Sequence, residues 1–183
     1  MKFYCDIKVL PDPEASEPVL ISNLMAKLHR ALVELKEVNI GISFPNVDKT
    51  LGSILRLHGD ETDLNKLLGL NWLKGLRDYC TQTSTLLVPE ECQYRCVKRK
   101  QAKSANNKRK RSIAKGWLSA ENVTLKIGNE QQKMLRLPFV QLKSTSTGQV
   151  IKLFIEHGGL QDKAVEGQFN RYGLSSSATV PWF

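Results

Sequence analysis

From Phe3 to Val9 apolar and polar residues alternate, with Phe3, Cys5, Ile7 and Val9 on one side of an extended chain and Tyr4, Asp6 and Lys8 on the other. That period of two predicts a strand with one buried face, and Pro11 and Pro13 end it. From Leu20 to Leu35 the period changes: Leu20, Leu24, Met25, Leu28, Ala31, Leu32 and Leu35 recur at three and four spacing, predicting a helix with one apolar stripe. Asn39 to Phe44 and Ser53 to Leu57 read as two strands joined by a turn around Pro45 and Asp48. A helical stretch follows from Thr62 to Tyr79, interrupted near Gly69. Leu86 to Val88 and Tyr94 to Arg99 can supply a closing strand.

The order strand, helix, two strands, helix, strand is that of the ferredoxin-like unit, which the sequence places at residues 1–95. Residues 96–183 are expected to form a smaller α+β domain. In it a basic helix at about 106–116 and a polar helical stretch at Ala120 to Met134 precede strands at Phe139 to Lys143 and Val150 to Glu156. The overall expectation is an α+β fold. The closing residues Val180-Pro181-Trp182-Phe183 are too apolar for a frayed tail and should dock on the core.

The chain of 183 residues carries a net charge of +9, from 27 Lys plus Arg against 18 Asp plus Glu. Ten of the basic residues, and no acid, fall between Arg95 and Lys115; without them 17 basic and 18 acidic residues remain, a net of −1. A nearly neutral body with one cationic segment suits a polyanionic partner. Within that segment Asn106 and Asn107 are good N-caps, Gly116 is a good stop, and Lys108 to Lys115 should form a short helix whose one sizeable apolar residue is Ile113. So polar a helix has no stripe with which to bury itself, and phosphate oxygens in a nucleic acid groove would order it. A solvated basic loop, or an import signal resembling Lys108-Arg109-Lys110-Arg111, is the plainer alternative. Just upstream, Arg99 and Gln101 share one side of an extended chain, where they suit guanine and adenine edges respectively; two solvated side chains would have the same spacing.

Other classes fit poorly. No apolar run approaches the roughly 20 residues that span a bilayer, and no secretory leader is evident, so the cytoplasm is the expected location. Cys5, Cys80, Cys92 and Cys96 do not form a disulfide framework, and on a strand Cys92 and Cys96 would lie about 13 Å apart, too far to share a zinc ion. Asp60, Glu61 and Asp63 look like the acidic start of a helix rather than a metal-binding carboxylate cluster. A P-loop, a GxSxG elbow and the aromatic signature of an RNA recognition motif are all missing. Acid–base chemistry therefore has three candidate imidazoles: His29, His58 and His157. His58 and His157 each precede a glycine after a strand, which suggests structural roles in turns. His29 lies about 100° from Leu28 on the helical wheel, at the margin of the apolar stripe, where an imidazole can be held by the core yet reach solvent.

Specific blocks carry a further signal. Leu10-Pro11-Asp12-Pro13-Glu14, Lys27-Leu28-His29, Gly41-Ile42-Ser43-Phe44-Pro45, Trp72-Leu73 with Gly75-Leu76-Arg77-Asp78, Gln101-Ala102-Lys103-Ser104, Ser146-Thr147-Gly148-Gln149, Tyr172-Gly173-Leu174-Ser175 and Val180-Pro181-Trp182-Phe183 occur in that order. Over essentially its full length the chain resembles the subtype I-F CRISPR repeat-processing endoribonucleases.

The resemblance implies an enzyme that cuts precursor CRISPR RNA at the 3′ base of the repeat stem by 2′-OH attack, with no metal ion and no cofactor. Its products would be a 2′,3′-cyclic phosphate and a 5′-OH, and it would retain the stem-loop in a single turnover. Its partners would be the repeat hairpin and the other subunits of a guide-RNA surveillance complex, not a membrane. By the same resemblance His29 is the acid–base residue, Ser144 positions the attacking ribose and Tyr172 orients the imidazole. The RNA contacts implied are Arg99, Gln101, Lys103, Ser104, Lys108, Arg109, Arg111, Lys115, Ser146, Thr147 and Ile151. Two departures stand out. The basic helix mixes lysine, Ser112 and Ala114 among its arginines, and Ile151 stands where the family can place an aromatic under the last base pair. The alternative function is a noncatalytic subunit that binds the guide-RNA hairpin within a CRISPR effector complex.

Overall fold

A computed structural model describes residues 1–101, 105–119, 122–126, 135–143 and 148–183, with the side chains of 105–108 and 124–125 outside that description. The fold is α+β with antiparallel sheets. Strand β1 (Phe3–Val9) takes the expected bounds, with Cys5, Ile7 and Val9 buried. Asp12 Oδ1 then accepts from the backbone N–H groups of Glu14 and Ala15, both at 2.8 Å, and turns the chain into helix α1 (Glu17–Leu35). Helix α1 begins three residues before the periodic stripe does. Pro18 lies in its first turn, where its missing N–H costs no intrahelical bond.

Strands β2 (Gly41–Ser43) and β3 (Ile54–Gly59) follow, then α2 (Glu61–Gly69), a 3-10 turn at Arg77–Tyr79, β4 (Cys80–Gln82) and β5 (Leu86–Leu87). The first sheet runs β2-β3-β1-β4, with β5 also paired to β1. The closing pairing beside β1 is therefore shared by Cys80–Gln82 and, as expected, Leu86–Leu87, and does not fall to Tyr94–Arg99. Cys80-Thr81-Gln82 is short, and its last two residues are exposed, so no alternation marks it. Strand β6 (Gln93–Lys100) belongs instead to a second sheet, of order β7-β8-β6-β9, with β7 at Phe139–Lys143, β8 at Val150–Gln161 and β9 at Val180–Trp182.

Helix α1 turns Leu20, Ile21, Leu24, Met25, Leu28, Ala31 and Leu32 into the core and packs on β7 and β1. The Ser22 hydroxyl accepts from Gln141 N–H at 3.1 Å, joining α1 to β7. The closing residues dock as expected. Val180 is fully buried, and Arg56 lies 4.0 Å over the Phe183 ring and 4.7 Å over Tyr4. Arg56 also forks onto both carboxylate oxygens of Asp6, at 2.7 and 2.8 Å.

Residues 1–99 with 137–183 form one compact unit, and residues 100–136 a second. In the second, α3 (Ala105–Ala114) precedes a short α4 (Val123–Lys126). Asn106 and Asn107 lie inside the first turn of α3 rather than at its cap; first-turn N–H groups make no intrahelical bond, so asparagine is tolerated there. Gly116 is the stop: at φ +68° its N–H donates to Ile113 O and that of Trp117 to Ser112 O, both at 2.9 Å. Of the polar helical stretch expected at 120–134, α4 is the described part. Among the described residues no helix is long and apolar enough to cross a membrane.

Candidate active site

Ala26, His29, Arg30 and Val33 recur at three and four spacing on α1, a stripe beside the buried one. Across from them β7 and β8 present Leu142, Lys143 and Ile151, with Leu142 paired to Ile151. Together with Tyr172 these residues line a cleft of about 380 Å³, all of it within the first compact unit. Its described lining holds the cations Arg30 and Lys143 and no carboxylate. Such a site attracts an anion and leaves its own imidazole free of an acidic partner.

His29 is half-buried in this cleft. Its ring stacks on Tyr172 with centroids 4.0 Å apart and planes 5° from parallel. Its Nδ1 lies 2.8 Å from the backbone carbonyl oxygen of Arg171. A carbonyl only accepts, so Nδ1 carries the hydrogen, and in the neutral ring Nε2 keeps its lone pair. This is the arrangement a general base requires, and the imidazolium it becomes is a general acid.

The other two histidines are placed differently. His58 sits in the interior of β3, fully buried, with Nε2 2.8 Å from the Ser43 hydroxyl. Burial first, and then the Arg56 guanidinium, push it down to about 3. His157 lies in β8, with ring centroids 6.1 Å from Phe44 and 5.6 Å from Trp182; burial and then Arg95 push it down to about 4. Neither occupies the turn its following glycine suggested, because both strands run on through that glycine. Both are held neutral, His58 enclosed and His157 half-buried, and both serve packing. Among the described residues no three His, Cys, Asp or Glu side chains gather to hold a metal ion.

Arg99 is exposed near the end of β6, and Gln101 is exposed one residue beyond it. On α3, Lys110 and Arg111 are exposed and Arg109 is half-buried. Lys115 follows the helix, with Nζ 4.5 Å over the Trp117 ring. Ile151, 39% exposed, lies in the His29 cleft rather than in the packed core. Lys103, Ser104, Ser144, Ser146 and Thr147 lie outside the described residues, as does the side chain of Lys108.

Comparison with known proteins adds a decisive observation: the profile of the family described as a CRISPR-associated protein (Cas_Csy4) matches residues 4–183. This chain belongs to the Cas_Csy4 family. It is similar to the CRISPR-associated endonuclease Cas6/Csy4 of Escherichia coli (strain UTI89 / UPEC), at 45% identity over 185 residues and the full length of both chains. It is equally similar to the CRISPR-associated endonuclease Cas6/Csy4 of Pseudomonas aeruginosa (strain UCBPP-PA14), at 45% identity over 187 residues, again the full length of both.

The cleft of this Cas_Csy4 chain includes groups that sequence reasoning did not nominate. Arg30 carries a weak signal, since it follows His29 at the edge of the same stripe. Lys143 has a comparable one: it ends a strand whose alternate residues, Val140 and Leu142, are buried. The Arg171 carbonyl has none, because a backbone oxygen is the same in every sequence.

Proposed function

We propose that this Cas_Csy4 chain is a CRISPR repeat-processing endoribonuclease, cutting precursor CRISPR RNA at the 3′ base of the repeat stem without a metal ion and retaining the stem-loop. The carrying observation is the His29 imidazole, its Nδ1 bonded to the Arg171 carbonyl and its Nε2 lone pair left available in a cationic cleft. In the proposed reaction Nε2 takes the proton of the ribose 2′-OH. The 2′-oxygen bonds to the adjacent phosphorus, the P–O5′ bond breaks, and the departing 5′-oxygen takes a proton from the His29 imidazolium to become a hydroxyl, returning the ring to its neutral form. A 2′,3′-cyclic phosphate and a 5′-OH result, and the protons balance. Arg30 and Lys143 are the cations that meet the phosphodiester. Tyr172 holds the imidazole plane, and Ser144 positions the ribose.

In this reading the RNA stem is gripped by α3 through Lys108, Arg109, Arg111 and Lys115. Arg99 and Gln101 read bases low in the stem, while Lys103, Ser104, Ser146, Thr147 and Ile151 contact RNA nearer the cut. Residues 1–95 form a ferredoxin-like domain and 96–183 an RNA-binding domain. What supports this division is that the first sheet draws its strands from residues 3–87 and the second from 93–182. The enzyme works in the cytoplasm, with the other subunits of a subtype I-F surveillance complex.

The test is single-turnover cleavage of a repeat hairpin in excess chelator, with products resolved on a denaturing gel. Cleavage should persist. His29→Ala should slow it by roughly a hundred- to ten-thousandfold, the scale of one acid–base residue, with hairpin affinity retained. A 2′-deoxy substitution at the cut site should abolish cleavage and leave binding. An absolute need for Mg²⁺ refutes the mechanism, and binding without any cleavage returns the protein to the role of a noncatalytic hairpin-binding subunit.

A further inference from the structure

We infer that Arg171 is a positioning residue for the acid–base imidazole, tying the turn that fixes the His29 tautomer to the helix that carries His29. The inference rests on the functional reading above and adds to it a group that is neither nucleophile, acid nor base.

Residues 170–174 form a compact turn. Asn170 Oδ1 accepts from the N–H groups of Tyr172, at 2.8 Å, and Leu174, at 3.3 Å. Gly173 N–H donates to Asn170 O at 2.8 Å, and Asn170 N–H to Leu174 O at 2.9 Å. On one side the turn is anchored to β2, where Ile42 N–H donates to Gly173 O at 2.9 Å. Gly173 has φ +71°, and a Cβ there would sit 2.5 Å from Ile42 Cγ2, so its backbone lies hard against that strand.

On the other side the turn faces α1. The last four carbonyls of a helix lack intrahelical donors and carry the negative end of its dipole. The last turn of α1 contains no basic residue of its own. Arg171 supplies the cation from a distant part of the chain: its Nη1 donates to Leu32 O and to Val33 O, each at 3.3 Å. The same residue's carbonyl accepts from His29 Nδ1, and the next residue's ring stacks on the imidazole. Guanidinium and carbonyl of the one residue thus both grip α1, one at its C-terminal carbonyls and one at His29. Without the guanidinium the turn keeps its hold on β2 but loses its bonds to the C-terminal carbonyls of α1, leaving the His29 contacts to hold it against the helix. The carbonyl then drifts, and the imidazole becomes free to take the proton on Nε2, the nitrogen that must stay bare.

The test reads the tautomer and the chemistry separately. The protein is labelled with ¹⁵N-histidine, His29 is assigned by its loss in His29→Ala, and the neutral ring is observed by NMR in wild type, Arg171→Ala and Arg171→Lys. Single-turnover cleavage of a repeat hairpin is measured at saturating protein for the same three. Wild type should show hydrogen on Nδ1. Arg171→Ala should move the ring toward the other tautomer and slow cleavage by roughly ten- to a hundredfold, the effect of a small misplacement, with hairpin affinity held. Arg171→Lys, which restores a donor to the same carbonyls, should recover most of both. An unchanged tautomer and rate in Arg171→Ala, or lost affinity with an unchanged rate at saturation, overturns the inference. So does hydrogen on Nε2 in the wild type, a result that needs no variant to fold. Failure of the functional reading looks different: His29→Ala would cleave at the wild-type rate whatever the tautomer.

Discussion

Replacing Tyr172 separates orientation from chemistry at the His29 site. The ring lies 4.0 Å from the imidazole and 5° from parallel, and no described group bonds its hydroxyl. Its contribution is therefore that of a stacked aromatic pair, about 0.5–1.5 kcal/mol beyond its burial. If that energy holds the imidazole in its productive rotamer, Tyr172→Ala lowers the productive population by about two- to twelvefold, since ~1.4 kcal/mol is a factor of ten. Tyr172→Phe keeps the ring and should cleave within about twofold of wild type, the lower edge of that same stacking range. Single-turnover cleavage of a 5′-labelled repeat hairpin, with protein in excess, measures the rate constant free of binding and product release. The expected ranking is wild type equal to Tyr172→Phe, then Tyr172→Ala, then His29→Ala far below. A loss in Tyr172→Phe as large as that in His29→Ala would refute the reasoning, because the hydroxyl would then be moving a proton.

Stability, pH and salt provide independent checks. Arg56→Met leaves Asp6 without its partner in a pair whose side chains are 11% and 18% exposed, and strips the cation from Tyr4 and Phe183. Loss of about 3–5 kcal/mol is expected, a fall in Tm of roughly 6–20 °C for a chain this size, which adding Asp6→Leu should partly reverse. A melt within a degree of wild type would contradict it. His58, held down to about 3 in the folded protein, takes up its proton on unfolding near the ordinary pKa of about 6.5. Its contribution is present above that pH and is lost as pH falls toward 3, by up to about 1.4 kcal/mol per unit. His157, held down to about 4, acts in the same direction. Urea titrations at pH 7.5 and 5.0 should show the lower stability at 5.0, and equal midpoints would count against it. Arg111→Ala on the exposed face of α3 should reduce the slope of log affinity against log salt by about one, equally for all hairpins. An unchanged slope would remove Arg111 from the phosphate contacts.

Much of the fold is legible in the chain. The alternation at Phe3–Val9 and the stripe of α1 mark which residues face the core, because burial of each element depends on its own period of apolar residues. The strand at Phe139–Lys143, the stop at Gly116 and the docked closing residues are equally local readings. The cationic segment is written directly in composition, and His29 at the stripe margin could be nominated though not chosen.

Pairing and convergence belong to the tertiary structure. Whether Cys80–Gln82 or Gln93–Lys100 lies beside β1 turns on which strands offer unpaired edges, a sum of weak contacts over the whole chain that no single segment encodes. The same holds at the site. The carbonyl that sets the His29 tautomer is 142 residues away in sequence, and Arg171 meets α1 through carbonyls that every residue possesses. Sequence determined that an imidazole would sit at the edge of a helix in a chain bearing one cationic arm. The packing of a distant turn against that helix decided which of its nitrogens meets a carbonyl and which keeps the lone pair of the neutral ring, because a backbone hydrogen bond is specified by position in space and not by residue type.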